Sequence, residues 1–305
     1  MVNDSHNVAQ PADVADTWYQ GAPRSSEFKH MVKIFFRRPL AVMGLLIIII
    51  LILTAIFAPL LAPYDPYELD ILNKLQPPST AHLLGTDSLG RDTLSRIIYG
   101  AQTSLVIGLG AIGLATVLGL SLGMIAGYYG RLAHTLIMRF VDCIMALPMI
   151  LLALIIASLL GGGVKNVIIA LGIGMLAAPC RVMCGVAMSI KLSDYVLAAH
   201  AAGASNLRIM MRHVLINAFP PLVVVFTIGI GATILAEAGL SFLGVGIVPP
   251  TPAWGGMVND GYKLLLISPM LAISPGIAIM LVVFAFNMVG DGLRDALDPR
   301  LRGVI

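Results

Sequence analysis

Six long apolar segments decide what this chain can fold into. They lie at about residues 40–62, 102–128, 136–160, 164–188, 219–245 and 270–290. Each is close to the ~20 residues that an α-helix needs to cross the ~30 Å hydrocarbon layer of a bilayer. Because backbone groups in hydrocarbon must hydrogen-bond within the protein, the sequence predicts an all-α, polytopic membrane bundle of six transmembrane helices.

The composition agrees with a membrane protein. Hydrophobic residues make up 58% of the chain and charged residues only 11%, against about 25% charged in soluble domains. The mean hydropathy is +0.92. The net charge of +3 is too small to indicate a nucleic-acid partner, so none is expected.

The distribution of basic residues predicts the orientation. The predicted cytoplasmic segments hold fourteen Lys and Arg residues and the external segments hold five. By the positive-inside rule, both the N-terminus and the C-terminus are expected in the cytoplasm. The polar first 30 residues lack the apolar core of a cleavable signal peptide, so the first span is expected to remain as an anchor.

The chain divides into four predicted parts. These are a loose or disordered cytoplasmic arm at 1–30, the first transmembrane helix with an external loop at 31–100, a five-helix core at 101–290 and a cytoplasmic tail at 291–305. A short basic amphipathic helix is expected near residues 28–38, with Phe35 and Phe36 entering the membrane interface.

Residues 194–221 form a polar interruption between two apolar segments. Arg208, Arg212, His200 and His213 would each be costly at the bilayer centre. The stretch is long enough for two short helices joined at Gly203. A short polar turn would be enough merely to connect two spans. We expect a structured cytoplasmic elbow, within residues 190–218, that contacts another protein.

Small residues and prolines predict how the spans pack. Gly119, Gly123 and Gly127 repeat at four-residue spacing, which lets a second helix backbone approach closely. Packing inside the bundle is favoured over a subunit interface. Pro148 and Pro179 lie inside apolar segments and are expected to kink them.

No motif for chemistry is present in the sequence. The GxGxxG at Gly108, Gly110 and Gly113 lies in an apolar span with no preceding strand, and there is no GxxxxGK[ST], HExxH or CxxC. Cys180 and Cys184 share a helix face but lack a completing His or carboxylate, so packing is favoured over metal binding. We expect neither a catalytic residue nor a metal or cofactor bound by this chain.

Two acidic residues lie inside predicted spans, where a partner or a wet cavity is expected. For Asp142 the favoured reading is a structural pair with Arg139. For Glu237 a structural and a functional role are equally open.

Several stretches resemble a known family. The elbow is similar to the cytoplasmic loop of binding-protein-dependent ABC importer permeases, in which a Gly follows three residues after an EAA pattern. The chain further resembles the C-type permeases of dipeptide, oligopeptide and nickel importers in FFRRPLAVMGL (35–45), FAPLLAPYDP (57–66), HLLGTDSLGRDTLSRIIYGAQTSL (82–105), AEAGLSFLGVGIVPPTPAWGGM (236–257) and FNMVGDGLRDALDPRLR (286–302). The resemblance covers about residues 30–305, and the joint occurrence of these motifs is highly specific.

The resemblance implies a type I ABC importer permease in the bacterial inner membrane. Such a permease pairs with a second permease, usually as a heterodimer, with two cytoplasmic ATPases that bind ATP and Mg²⁺, and with an extracytoplasmic solute-binding protein. Di- or oligopeptides are the expected cargo. Nickel or another small solute is the first alternative, and a stand-alone secondary transporter the second.

The resemblance also implies roles for particular residues. The ATPase-coupling residues would be Asp194, Tyr195, Leu197, Ala198, Ala199, Gly203, Arg208, Arg212 and His213. Leu197 stands where the family usually has Glu, and Ile216 where a proline often follows. A partner ATPase groove that is less basic opposite Leu197 is therefore expected.

Two further sets of residues are predicted, one along the translocation pathway and one on the external side. Glu237, Ser241 and Pro148 are expected along the translocation pathway. Pro250, Pro252, Trp254 and Gly255 are expected to dock external partners, on a rigid extended loop with Trp254 at the membrane interface.

Overall fold

The computed structural model describes residues 24–297, which are helical apart from loops and one isolated bridge between Thr86 and Asp92. The helices are α1 Arg24–Phe36, α2 Pro39–Ile56, α3 Ala58–Leu61, α4 Thr93–Tyr129, α5 Arg131–Met145, α6 Met149–Leu160, α7 Val164–Gly174, α8 Ala177–Lys191, α9 Asp194–Ala201, α10 Asn206–Ile209, α11 Leu215–Phe242, α12 Trp254–Tyr262 and α13 Met270–Leu297. The π-helical turn Met210–Val214 joins α10 to α11 in one 37-residue helix. The all-α prediction is confirmed.

The six predicted spans correspond to four continuous helices and two bent pairs. The continuous ones are α2, α4, the joined α10–α11 and α13, all long and apolar enough to cross a membrane. Helices α5 and α6 meet at 89°, and α7 and α8 meet at 43°. Pro148 is the N-cap of α6, at the sharper bend, where its missing N–H and fixed φ break the helix.

Two helices extend beyond the predicted spans. Helix α4 begins at Thr93, before the predicted start of the second span near residue 102, and the polar side chains of its first turns lie against the protein. Helix α11 continues through Pro220 and Pro221, so no break separates the elbow from the fifth span.

Helices α4 and α8 pack almost backbone to backbone. A Cβ added at Gly123 would lie 2.3 Å from the carbonyl oxygen of Cys180, and one at Gly127 would lie 2.5 Å from that of Cys184. Both cysteines are buried. The glycine stripe therefore serves packing inside the bundle, as predicted.

The N-terminal helix α1 lies against α13. Phe35 is buried, and its ring is 3.0 Å from where a Cβ of Gly292 would stand. The expectation that Phe35 enters the membrane interface is therefore wrong, whereas Phe36 is exposed. Residues 1–23 of the predicted loose arm and residues 298–305 of the predicted tail lie outside the described residues.

Buried charges order the external loop before α4. Arg91 Nε donates to Asp87 Oδ2 at 2.7 Å, and Asp92 caps α4 by accepting from the Ser95 backbone N–H at 2.8 Å. Arg91, Asp92 and Arg96 are each less than a tenth exposed. These three charged side chains are thus folded into the protein, whereas Asp65, Glu68 and Lys74 of the same loop are exposed.

Candidate functional site

The elbow is a helix, a turn and a second helix, as the sequence predicts. Helix α9 spans Asp194–Ala201 and ends at Gly203, whose φ of +83° is in the left-handed region that favours glycine. The Ala204 N–H closes the turn by donating to the Ala199 carbonyl at 3.0 Å. The chain then enters α10 at Asn206.

Buried contacts fix the elbow to the ends of α4 and α8. Val196 is 3% exposed and packs in a cluster with Tyr128 and Ile209. Tyr128 Oη donates to Asn206 Oδ1 at 2.9 Å, and Lys191 Nζ donates to the Tyr128 carbonyl at 2.6 Å. These contacts join both halves of the elbow to the ends of α4 and α8.

The outer surface of the elbow is apolar with a basic flank. Tyr195 and Leu197 are 49% and 55% exposed, and a groove of about 260 Å³ runs beside Leu197. Arg208 and Arg212 are exposed, and neither forms an ion pair with any residue in the described part of the chain. The His213 ring is 5.8 Å from that of Tyr195.

The remaining predicted coupling residues belong to the same surface. Asp194 and Ala198 are exposed on α9, and Ala199 is half-buried. The structure thus brings the nine predicted coupling residues together in one elbow. Its exposed apolar face suits binding of another protein.

An open cavity of about 670 Å³ lies between the spans. Its wall includes both helix breaks, at 145–149 and 174–178, and one face of α11 from Val224 to Ala232. Pro148 lines this cavity, and its place along a translocation pathway stays a prediction.

The charged group of this cavity is Arg181, one of the fourteen basic residues expected on the cytoplasmic side. Its Nη2 donates to Asp142 Oδ1 at 2.6 Å. The predicted pair of Asp142 with Arg139 is therefore wrong. Asp142 and Arg181 are 39 positions apart, and no spacing rule in the sequence could have joined them.

Glu237 and Ser241 lie away from the cavity wall. They are 1% and 4% exposed, and Ser241 Oγ donates to Glu237 Oε1 at 2.7 Å. The second oxygen, Oε2, has no hydrogen-bond partner among the described residues. A role for this pair in translocation stays a prediction.

The loop expected to dock external partners is mostly buried. Trp254 is 2% exposed and its Nε1 donates to the Ile97 carbonyl at 3.0 Å, so its expected place at the membrane interface is wrong. Pro252 and Gly255 are also buried, and Trp254–Tyr262 forms α12 where an extended loop was expected. Of the four residues, Pro250 alone is exposed.

Comparison with known proteins identifies the family. The sequence profile of the "Binding-protein-dependent transport system inner membrane component" matches residues 119–303. A second profile, the "N-terminal TM domain of oligopeptide transport permease C", matches residues 26–78.

Curated relatives and solved structures agree with these matches. The dipeptide transport system permease protein DppC of Alkalihalophilus pseudofirmus is 42% identical over 94% of this chain and 93% of its own length. The glutathione transport system permease protein GsiD of Pectobacterium atrosepticum is 42% identical over 88% of this chain and 89% of its own. The inward-facing MetNI methionine ABC transporter is 19% identical, covers 67% of this chain and 97% of its own, and shares the fold with a TM-score of 0.52. The chain therefore belongs to the binding-protein-dependent inner-membrane transport components, as a multi-pass ABC importer permease of the dipeptide and oligopeptide type.

Proposed function

We propose that this chain is the membrane permease of an ATP-driven importer of short peptides. It works with a second permease, two cytoplasmic ATPases that hold ATP and Mg²⁺, and an extracytoplasmic binding protein. The similarity to dipeptide and glutathione permeases supports this cargo. The single observation that carries the mechanism is the position of helix α8. One end of α8 leads into the exposed elbow, and its other end lines the cavity.

The orientation follows from the charge distribution. Both termini and the elbow lie in the cytoplasm, because the segments assigned there carry most of the basic residues. With six crossings, the elbow between the fourth and fifth spans falls on the same side as the N-terminus. This is the side on which cytoplasmic ATPases are available.

Helix α9 docks in a groove of the ATPase and receives its motion. Tyr195 and Leu197 supply an apolar contact, and Arg208 and Arg212 supply charge that finds no carboxylate in the described part of the chain. Because Leu197 stands in place of a carboxylate, the opposing groove is apolar at that point. Buried Val196 anchors α9 from below.

Helix α8 links docking to the pathway. Its first turn, at Ala177 and Ala178, lines the cavity, and its last residue, Lys191, is bonded to the end of α4. Movement of α9 therefore tilts α8 and changes the shape of the cavity. The chain itself performs no covalent step in this scheme.

Reconstitution tests the proposal. The chain is assembled with its partners in liposomes, and ATP-dependent uptake of radiolabelled alanyl-alanine, glutathione and nickel is measured. Leu197→Asp, on the docking face, should reduce peptide uptake at least about tenfold, the loss expected of a central interface residue. Leu266→Asp, at a fully exposed position on the loop before α13, is the matched control and should leave uptake unchanged.

Three results would contradict parts of the proposal. Uptake by the chain alone without ATP would identify a secondary transporter. Uptake of nickel and not of either peptide would show that the proposed peptide cargo is wrong. Equal activity of Leu197→Asp and the wild type would remove the elbow from the mechanism.

A further inference from the structure

An ion pair inside the membrane joins the two broken spans. Asp142 lies on α5 one turn before its 89° bend, and Arg181 lies on α8 shortly after the 43° bend. Arg181 is ten residues before Lys191, the end of α8, which corresponds to about 15 Å of helix rise. In the proposed topology this places the pair at membrane depth, about 15 Å along the helix from the elbow.

The pair is open on one side. The side chains of Arg181 and Asp142 are 49% and 46% exposed within the chain. Charges at this depth face a water-filled cavity or another protein group, because contact with lipid is costly. Arg181 lines the cavity of about 670 Å³ and is the charged residue among the described residues of its wall.

The backbone around the cavity indicates that it holds water. Both helix breaks, at 145–149 and 174–178, lie in its wall. Irregular backbone at membrane depth persists only where it is buried in protein or lines an aqueous cavity. The volume falls in the range of about 300–1,000 Å³ typical of ligand sites, which combine apolar walls with a few polar groups.

We infer that Arg181 binds the carboxylate of the solute as it passes through this cavity. The inference rests on the proposed function, since every unmodified short peptide carries a carboxylate. The guanidinium presents a planar fork of donors that matches a carboxylate. Asp142 occupies this fork between transport events, and the solute carboxylate displaces it. Asp142 is thus only the resting counter-ion of Arg181, and transport does not depend on it.

The competing explanation is that the ion pair only holds α5 and α8 together, as a structural latch. The two explanations differ in whether losing Asp142 has the same effect as losing Arg181. In a latch, loss of either partner has the same effect, and exchanging the two charges restores function. In carboxylate binding, Arg181 is needed and Asp142 is dispensable. An exchanged pair places the cation on α5 and leaves the position on α8 negative.

The test uses the full reconstituted importer and whichever of radiolabelled alanyl-alanine or glutathione the wild type takes up. Arg181→Gln should reduce uptake at least about tenfold, as expected for loss of a charge-assisted hydrogen bond. Asp142→Asn should stay within about threefold of the wild type, since it removes only a competitor of the solute. The double variant with Asp142→Arg and Arg181→Asp should remain as low as Arg181→Gln. Arg139→Gln, an exposed arginine on α5, is the matched control.

Stimulation of the ATPases by loaded binding protein is measured in parallel and should persist in every variant, which excludes misassembly as the cause. Equal losses in both single variants with recovery in the double variant would establish the latch and overturn the inference. Full uptake by Arg181→Gln would do the same while leaving the proposed function intact. No peptide uptake by the wild type would instead refute the proposed function, and the inference with it.

Discussion

Replacing Gly123 by alanine tests whether the close packing of α4 on α8 sets the stability of the bundle. The new Cβ would lie 2.3 Å from the Cys180 carbonyl oxygen and 2.9 Å from the Met183 Cβ. Real Cβ contacts do not fall below 3.0 Å, so α8 must withdraw by at least the difference, 0.7 Å. Backbone cannot rotate out of the way as a flexible side chain can. Overpacking of this kind costs about 1–3 kcal/mol.

Gly113→Ala in the same helix is the matched control, since nothing lies within 4 Å of its Cβ position. Alanine is favoured over glycine in a helix interior by about 0.5–1 kcal/mol, so this variant should be slightly more stable than the wild type.

The free energy of unfolding is measured by SDS titration in mixed micelles, with the far-ultraviolet circular dichroism of the helices as the reporter. Gly123→Ala should unfold at lower SDS than the wild type, and Gly113→Ala at the same or higher SDS. If the two variants shift the transition equally, the argument from close approach of α4 and α8 is wrong.

Three further changes have defined outcomes. Gly203→Ala, at φ +83° with open space around it, should destabilise the turn by about 1–2 kcal/mol. It should lower coupled ATPase activity clearly while shifting the SDS unfolding midpoint little. A shifted midpoint with unchanged ATPase activity would contradict this. Trp254→Phe removes the hydrogen bond to Ile97 and should lose about 0.5–1.5 kcal/mol in the same SDS titration, whereas an unchanged midpoint would show that this bond contributes nothing. Asp92→Ala removes the cap of α4 and should lower the free energy of unfolding by about 0.5–2 kcal/mol. Asp92→Asn should partly recover this loss, and equal losses in both variants would argue against capping.

The apolar spans themselves follow directly from the sequence, because each apolar run has about the length that a bilayer requires. Their ends do not. The first turns of α4 carry Arg96, which is buried against the external loop, and a hydropathy pattern cannot distinguish such a residue from one in solvent. The bends are partly predictable from the sequence. Pro148 predicts that a helix is interrupted, but it does not predict the 89° angle between α5 and α6.

The elbow could be predicted because its signal is local. Polar residues interrupt an apolar pattern, and Gly203 supplies the positive φ that ends α9. The pair of Asp142 and Arg181 could not be predicted, because its partners meet only when two separate spans fold together. Trp254 shows the same limit: an aromatic residue after a proline-rich loop is typical of a membrane interface, yet here it packs on Gly100 inside the bundle.

Site-directed crosslinking of the elbow to the ATPase tests the central claim most directly. Cys143, Cys180 and Cys184 are first replaced by serine or alanine, and single cysteines are then introduced as Leu197→Cys or, as the control, Leu266→Cys in the fully exposed loop before α13. With a short bifunctional reagent in native membranes, Leu197→Cys should give a permease–ATPase product whose yield changes when ATP is added, and Leu266→Cys should give none. An ATPase product from Leu266→Cys, or none from Leu197→Cys in a complex that still transports, would contradict the assignment of α9 as the coupling helix.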